Sequence, residues 1–267
     1  MSATRHEILT ASRAMAHHDD YTAWRPSAAS ATAGPDNTMT TNGSGASAAD
    51  DRTDPSNLPG GQKALSEISL RAFLLGVVLG ISSIGTVLCA LQSIALWRAA
   101  FFISSLCLFH FLEYYTTAAY NTRYADVSAF LLSSNGAAYN VAHGSALLEC
   151  LLSHWLAPQG YLPHDTAVFG LIVVSMGMLL MLTGQVVRTL AMAQAGSNFN
   201  HLVQVEYKEG HTLVTGGIYS LLRHPSYFGF FWWGLGTQMV LQNVVCFVAY
   251  AVVLWRFFEE RIQRKVP

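Results

Sequence analysis

The chain has 267 residues, of which 52% are hydrophobic and only 12% charged, where an ordinary soluble domain carries about 25% charged residues. With a mean hydropathy of +0.32, it lacks the polar surface of a soluble domain, and a multi-pass membrane protein is the class that fits. The net charge of −1 and the scattered Lys and Arg exclude a nucleic-acid partner, which needs a clustered basic face.

Residues 1–66 are rich in Ala, Ser, Thr, Gly, Asp and Pro and poor in aliphatic side chains, so the composition predicts a disordered tail. Its basic residues are followed by no apolar core, which argues against a cleaved signal peptide. The membrane domain is expected over 67–267. Apolar runs predict spans at about Leu70–Ala90, Leu96–Tyr120, Tyr139–Leu156 and Thr166–Val187, since a helix needs about 20 residues to cross a bilayer core. From Thr189 to Arg223 polarity rises and Gly196, Gly210, Gly216 and Gly217 interrupt helix. This reads as an interfacial segment. Tyr227–Leu241 and Val244–Phe258 then form a tight antiparallel hairpin around Gln242-Asn243. The expectation is an all-α transmembrane bundle of about six spans. Lys63, Arg71, Arg123, Arg188, Lys208, Arg223, Arg256, Arg261, Arg264 and Lys265 all fall on one side of it, which the positive-inside bias makes cytosolic.

The four cysteines, Cys89, Cys107, Cys150 and Cys246, lie in apolar runs without metal-ligand spacing and read as small buried hydrophobes. His110 with Glu113, and Glu149 with His154, are ionisable groups at membrane depth, which makes them functional candidates. No metal is expected, because no HxxxH or HxxHH box is present. A hydrogen-bonded structural pair inside the bundle is the simpler reading.

The densest chemistry lies between His211 and Tyr227, HTLVTGGIYSLLRHPSY. Gly216-Gly217 permits a tight turn, Ile218–Leu222 a short helical turn, and Pro225 the start of a helix. Arg223 and His224 then sit beside a helix N-terminus, either as an anion site or as interfacial anchors. The aromatic residues Tyr227, Phe228, Phe230, Phe231, Trp232 and Trp233 form either a lipid-interface belt or a wall for a cationic sulfonium or a lipid chain.

FHFLEYY at 109–115, QAGSNFNH at 194–201, the 211–238 stretch and LWRFFEERI at 254–262 resemble the isoprenylcysteine carboxyl methyltransferases. The RHPSY hairpin alone is also similar to phospholipid methyltransferases and to sterol-type reductases that use NADPH. The resemblance implies methylation of the α-carboxylate of a C-terminal S-prenylcysteine with S-adenosylmethionine as donor. It also implies a cytosol-facing cofactor pocket in the endoplasmic reticulum membrane, and prenylated Ras- and Rho-type GTPases as partners. Carried onto this chain, Gln204, His211, Thr212, Leu213, Val214, Tyr219, His224, Pro225, Ser226 and Tyr227 match the cofactor contacts. Arg261 matches a substrate contact and Arg223 the motif arginine, here assigned as catalytic. Two departures stand out. Val244 occupies the place of a proline after Asn243, and the chain reads RIQRKVP with Lys265 where the family carries an acidic residue. The C-terminal part of the family domain is therefore expected to be missing or altered.

Overall fold

The computed structural model describes residues 54–132, 134–156, 167–201 and 212–263. Among these are six α-helices: α1 Leu65–Leu91, α2 Trp97–Tyr120, α3 Gly136–Leu156, α4 Ala167–Ala195, α5 Pro225–Leu241 and α6 Val245–Gln263. Three of them, α1, α2 and α4, are long and apolar enough to cross a membrane. The remaining described chain is coil and short 3₁₀ turns, so the all-α expectation holds among the described residues.

The helices begin and end where the sequence supplies the chemistry. Pro225 opens α5 at its first position, where a missing N–H costs nothing. α5 closes on Gln242 in the left-handed conformation, φ 59°, and the Asn243 N–H returns to the Gln238 carbonyl at 3.0 Å, so orphan carbonyls at the helix end are met. The largest departure from the sequence reading concerns α4. It runs to Ala195, two turns beyond Val187, because Thr189–Ala195 contains no glycine or proline to break it and Gly196 is the first break.

Hydrogen bonds latch the bundle at both ends. At one end Arg71 Nη1 donates to the Val127 carbonyl (2.9 Å), Asn121 Nδ2 to the Phe199 carbonyl (2.8 Å) and Arg261 Nη1 to the His201 carbonyl (3.1 Å). At the opposite end Glu149 accepts the N–H groups of Val245 (2.9 Å) and Cys246 (2.7 Å) at the start of α6. A carboxylate there is favoured by the positive end of the helix dipole. Asn243 Nδ2 donates to the Ala146 carbonyl (2.9 Å), and Gln242 Nε2 to that of Gly170 (3.3 Å). Without a proline at 244, this hairpin turn is held through its neighbours α3 and α4.

α4 and α5 approach backbone to backbone. A Cβ on Gly184 would come within 2.5 Å of the Gly229 carbonyl oxygen, and one on Gly177 within 2.8 Å of that of Gly236. Each helix thus spaces its glycines seven residues apart, two turns along one face. This small-residue seam is the way membrane helices bring their backbones together, and it fixes the register of everything one turn beyond Gly184 and Gly229.

Candidate functional site

One turn past Gly184 on α4 stands Arg188, and one turn before Gly229 on α5 stands Ser226. The helix register therefore brings the two together. Arg188 is buried, and its Nε and Nη2 bind the two oxygens of Glu113 on α2, the latter at 2.7 Å. Its Nη1 donates to Ser226 Oγ (3.0 Å) and to the Ser226 carbonyl (3.3 Å). The guanidinium also lies over the rings of Phe109 and Phe230, 5.4 and 5.2 Å from their centroids. Glu113 is only 1% exposed. A bidentate pair whose third nitrogen is also hydrogen-bonded is a form in which a buried ion pair persists.

Glu113 reaches a second element. Its Oε2 lies 3.8 Å from Nδ1 of His201, whose Nε2 is 3.5 Å from Thr117 Oγ1 and whose carbonyl takes Arg261. Burial holds the His201 pKa below its ordinary value, against the opposing pull of Glu113; its imidazole is neutral at pH 7. Arg261 lies over Phe257, 4.3 Å from the ring centroid.

The expected structural pairing of His110 with Glu113 takes a different form. His110 Nδ1 bonds the Phe130 carbonyl (2.8 Å) and its Nε2 takes the Tyr139 hydroxyl (3.1 Å). Both residues are buried in the bundle, but each has found another partner. Glu149 caps α6 as described above. No group of three or more His, Cys, Asp or Glu side chains suited to a metal ion occurs among the described residues.

The sequence-expected site residues fall into three groups. Thr212, Leu213, Val214 and Tyr219 line the approach to α5. There the Asn198 carboxamide accepts the Thr212 N–H (3.0 Å) and bonds the Thr212 hydroxyl (3.3 Å). Gln194 Oε1 accepts the Ile218 N–H at 2.7 Å beside Gly217, whose φ is +59°. The Tyr219 hydroxyl donates to the Ala191 carbonyl at 3.1 Å, and burial pushes its pKa up, so it remains a donor. Leu213 is 88% exposed.

His224, Pro225, Ser226 and Tyr227 form the helix start. The His224 ring stacks on Tyr227 (5.7 Å between centroids) and Tyr227 on Phe258 of α6 (4.8 Å), a three-ring column between the two hairpin helices. Arg223 stands outside this cluster and is exposed. Gln204, His211 and Lys265 lie outside the described residues.

A cavity of about 260 Å³ opens between α1, α2 and α3, lined by Leu75, Ile103, Leu106, Cys107, His110 and Tyr139 among others. His110 places its wall one helical turn from Glu113.

The sequence reading missed Arg188 as a site residue. It counted only as an orienting charge, because the fourth span was ended at Val187. The available signal was an ionisable residue seven positions before the last residue ahead of the first helix break, hence about 10 Å inside the helix end.

The model of the isoprenylcysteine carboxyl methyltransferase (ICMT) family matches residues 176–265. The protein-S-isoprenylcysteine O-methyltransferase of Saccharomyces cerevisiae is 42% identical over 199 residues, covering 74% of this chain and 80% of the yeast protein. The Homo sapiens enzyme of the same name is 40% identical over 200 residues, covering 74% of this chain and 66% of the human one. A solved structure of the eukaryotic intramembrane Ras methyltransferase ICMT superposes with a TM-score of 0.63 at 32% identity, covering 73% of this chain and 66% of that one. The chain thus spans about two thirds of the length of the human protein and of the solved structure.

Proposed function

Because the chain belongs to the isoprenylcysteine carboxyl methyltransferase family of membrane enzymes, we propose that it methylates the α-carboxylate of a C-terminal S-prenylcysteine, with S-adenosylmethionine as the methyl donor. The single observation that carries this reading in the fold is the buried Arg188, held by Glu113 and Ser226 near the three-ring column between α5 and α6. A fixed cation at an oily end of the bundle suits a substrate that is a carboxylate at one end and a hydrocarbon at the other.

The donor-binding residues fit such a molecule by their chemistry. The His224–Tyr227–Phe258 column offers ring faces, which attract a cationic sulfonium. The Thr212–Val214 segment and the Gly217 turn offer backbone and hydroxyl groups for its polar parts. When bound, S-adenosylmethionine supplies an electrophilic methyl carbon on a positively charged sulfur.

The protein's share of the reaction is alignment and drying. A peptide α-carboxyl has a pKa of about 3.5 and is ionised at neutral pH, so the nucleophilic oxygen needs no base. Arg188 and Arg261 would steer the carboxylate so that an oxygen lies in line with the carbon–sulfur bond, the gain coming from orientation. The oxygen–carbon bond forms as the carbon–sulfur bond breaks. Opposite charges on the reactants vanish together, and the less polar transition state is favoured where Phe109, Phe230 and Phe258 exclude water. Arg223, exposed and beside the α5 N-terminus, is proposed as an outer contact to the approaching substrate or donor, in a milder role than Arg188.

Orientation and location follow the same reading. The end of the bundle that carries Arg71, Arg123, Arg223 and Arg261 is proposed to face the cytosol from the endoplasmic reticulum membrane, in keeping with the positive-inside bias. Prenylated GTPases of the Ras and Rho type are proposed as partners, their lipid arriving through the bilayer. The donor assignment is tested by titrating purified protein in lipid nanodiscs with S-adenosylmethionine and, separately, with NADPH. Saturable binding of S-adenosylmethionine alone is expected; saturable NADPH binding in its place would overturn the assignment in favour of a reductase.

A further inference from the structure

The Glu113 carboxylate binds one cation of the site directly and stands one residue from the other. It grips Arg188 of α4 through both oxygens, and through His201 it bears on Arg261 of α6: Oε2 stands 3.8 Å from the His201 ring, and the His201 carbonyl takes Arg261 Nη1 at 3.1 Å. It is the one acid within the cluster among the described residues, and it is 1% exposed. Arg188 has no freedom left to seek its own position. Its Nε/Nη2 edge is held by Glu113 and its Nη1 by Ser226, its faces lie against Phe109 and Phe230, and the second Nη2 N–H is left without a partner among the described residues.

We infer that Glu113 is a positioning residue for methyl transfer, which orients Arg188 and also limits how strongly Arg188 can bind the substrate's carboxylate. This inference rests on the carboxyl methyltransferase reading. The physical reason is a conflict within that reaction. The carboxylate must be held, but it is also the nucleophile, and a tight ion pair stabilises the ground state at the expense of the transition state, in which its charge is being lost. A bare buried guanidinium would form that tight pair. With Glu113 already neutralising Arg188, the incoming carboxylate is held by the direction of the remaining Nη2 N–H more than by net charge, and its second oxygen stays available.

A residue of this kind has a kinetic signature distinct from that of a structural prop. Glu113→Gln keeps the size and most hydrogen-bonding capacity of the side chain but leaves Arg188 uncompensated. The prenylcysteine substrate should then bind more tightly and react more slowly, so KM falls while kcat falls by up to about 10²-fold, the cost of a misplaced reacting group. The KM for S-adenosylmethionine should not move. Glu113→Asp keeps the charge but draws it back by one methylene, and should return the substrate KM toward the wild-type value with a partial recovery of kcat.

The experiment uses the full chain in nanodiscs, with N-acetyl-S-farnesylcysteine and methyl-labelled S-adenosylmethionine, on wild type, Glu113→Gln and Glu113→Asp. Folded enzyme is counted by donor binding. The expected result is a lowered kcat with a lowered prenylcysteine KM in the Gln variant, reversed in KM by Asp. Wild-type kcat and KM in the Gln variant would overturn the inference, as would a kcat loss matched by a loss of donor binding with no change in prenylcysteine KM. If the Gln variant does not fold, the Asp variant carries the test through kcat: a lowered kcat at near-wild-type KM is expected, and a wild-type kcat would overturn the inference. Turnover by wild type separates the two levels: with turnover, the variants judge Glu113 alone, and without it the methyltransferase reading and this inference fall together.

Discussion

Arg188 and Glu113 are 75 residues apart in sequence and meet through two hydrogen bonds inside the bundle, where one is 7% and the other 1% exposed. Removing either partner leaves a buried charge uncompensated, which costs about 3–5 kcal/mol. Arg188→Met alone should therefore lower the thermal midpoint in detergent sharply. Arg188→Met with Glu113→Leu removes both charges and should recover much of that loss while abolishing methyl transfer. Equal destabilisation by the double and the single variants would contradict the pairing.

The seam between α4 and α5 makes a second prediction. A Cβ on Gly229 would stand 2.7 Å from the Arg188 nitrogen and 2.6 Å from the Gly184 carbonyl oxygen. Gly229→Ala must push the helices apart, at about 1–3 kcal/mol, and it should separate Arg188 from Ser226 as it does so. The variant is expected to lose kcat beyond its loss of folded protein. An equivalent change at Gly76 of α1, where a Cβ meets nothing within 4 Å, should leave stability unchanged.

How much of this was legible beforehand depended on whether a feature is local. The hairpin turn at Gln242-Asn243, the Pro225 start of α5 and the all-α architecture follow from short-range signals, and the structure has them. The family followed from motifs. The Arg188 site did not, because it requires the α4 end to be placed correctly and the register of α4 against α5 to be known. A single sequence contains the four glycines of the seam but not which pairs oppose one another. His110 and Glu113 were read as a structural pair inside the bundle; their partners, Tyr139 and Arg188, come from distant segments that no local spacing could name.

A pH dependence follows from His201. Burial depresses its pKa in the folded protein, so the unfolded chain, titrating at about 6.5, takes up the proton first. Stability is then level above pH 6.5 and falls as pH drops below it toward the folded value, since the unfolded state binds more protons there. Thermal midpoints between pH 5 and 8 should show this fall, and His201→Gln should make it shallower. An unchanged slope in the variant would remove His201 as its source.

The cavity between α1, α2 and α3 is proposed to receive the prenyl chain, since its walls are mainly apolar and it lies one turn from Glu113. Ile103→Trp, which fills it from α2, should raise KM for a prenylated peptide and leave KM for S-adenosylmethionine as it was. An unchanged prenyl KM would place the chain elsewhere, with the groove between α5 and α6 near Phe231, Ala251 and Trp255 as the next site to fill.

The most direct test of the account is transfer itself. Membranes carrying this chain, the same membranes with Arg188→Ala, and membranes without it are incubated with N-acetyl-S-farnesylcysteine and methyl-labelled S-adenosylmethionine, and base-labile methyl ester is counted. The account predicts ester in the first sample and a loss of about 10²-fold or more on removing the buried cation. Ester formation by the first sample no greater than that of membranes without the chain, or undiminished by Arg188→Ala, would contradict it.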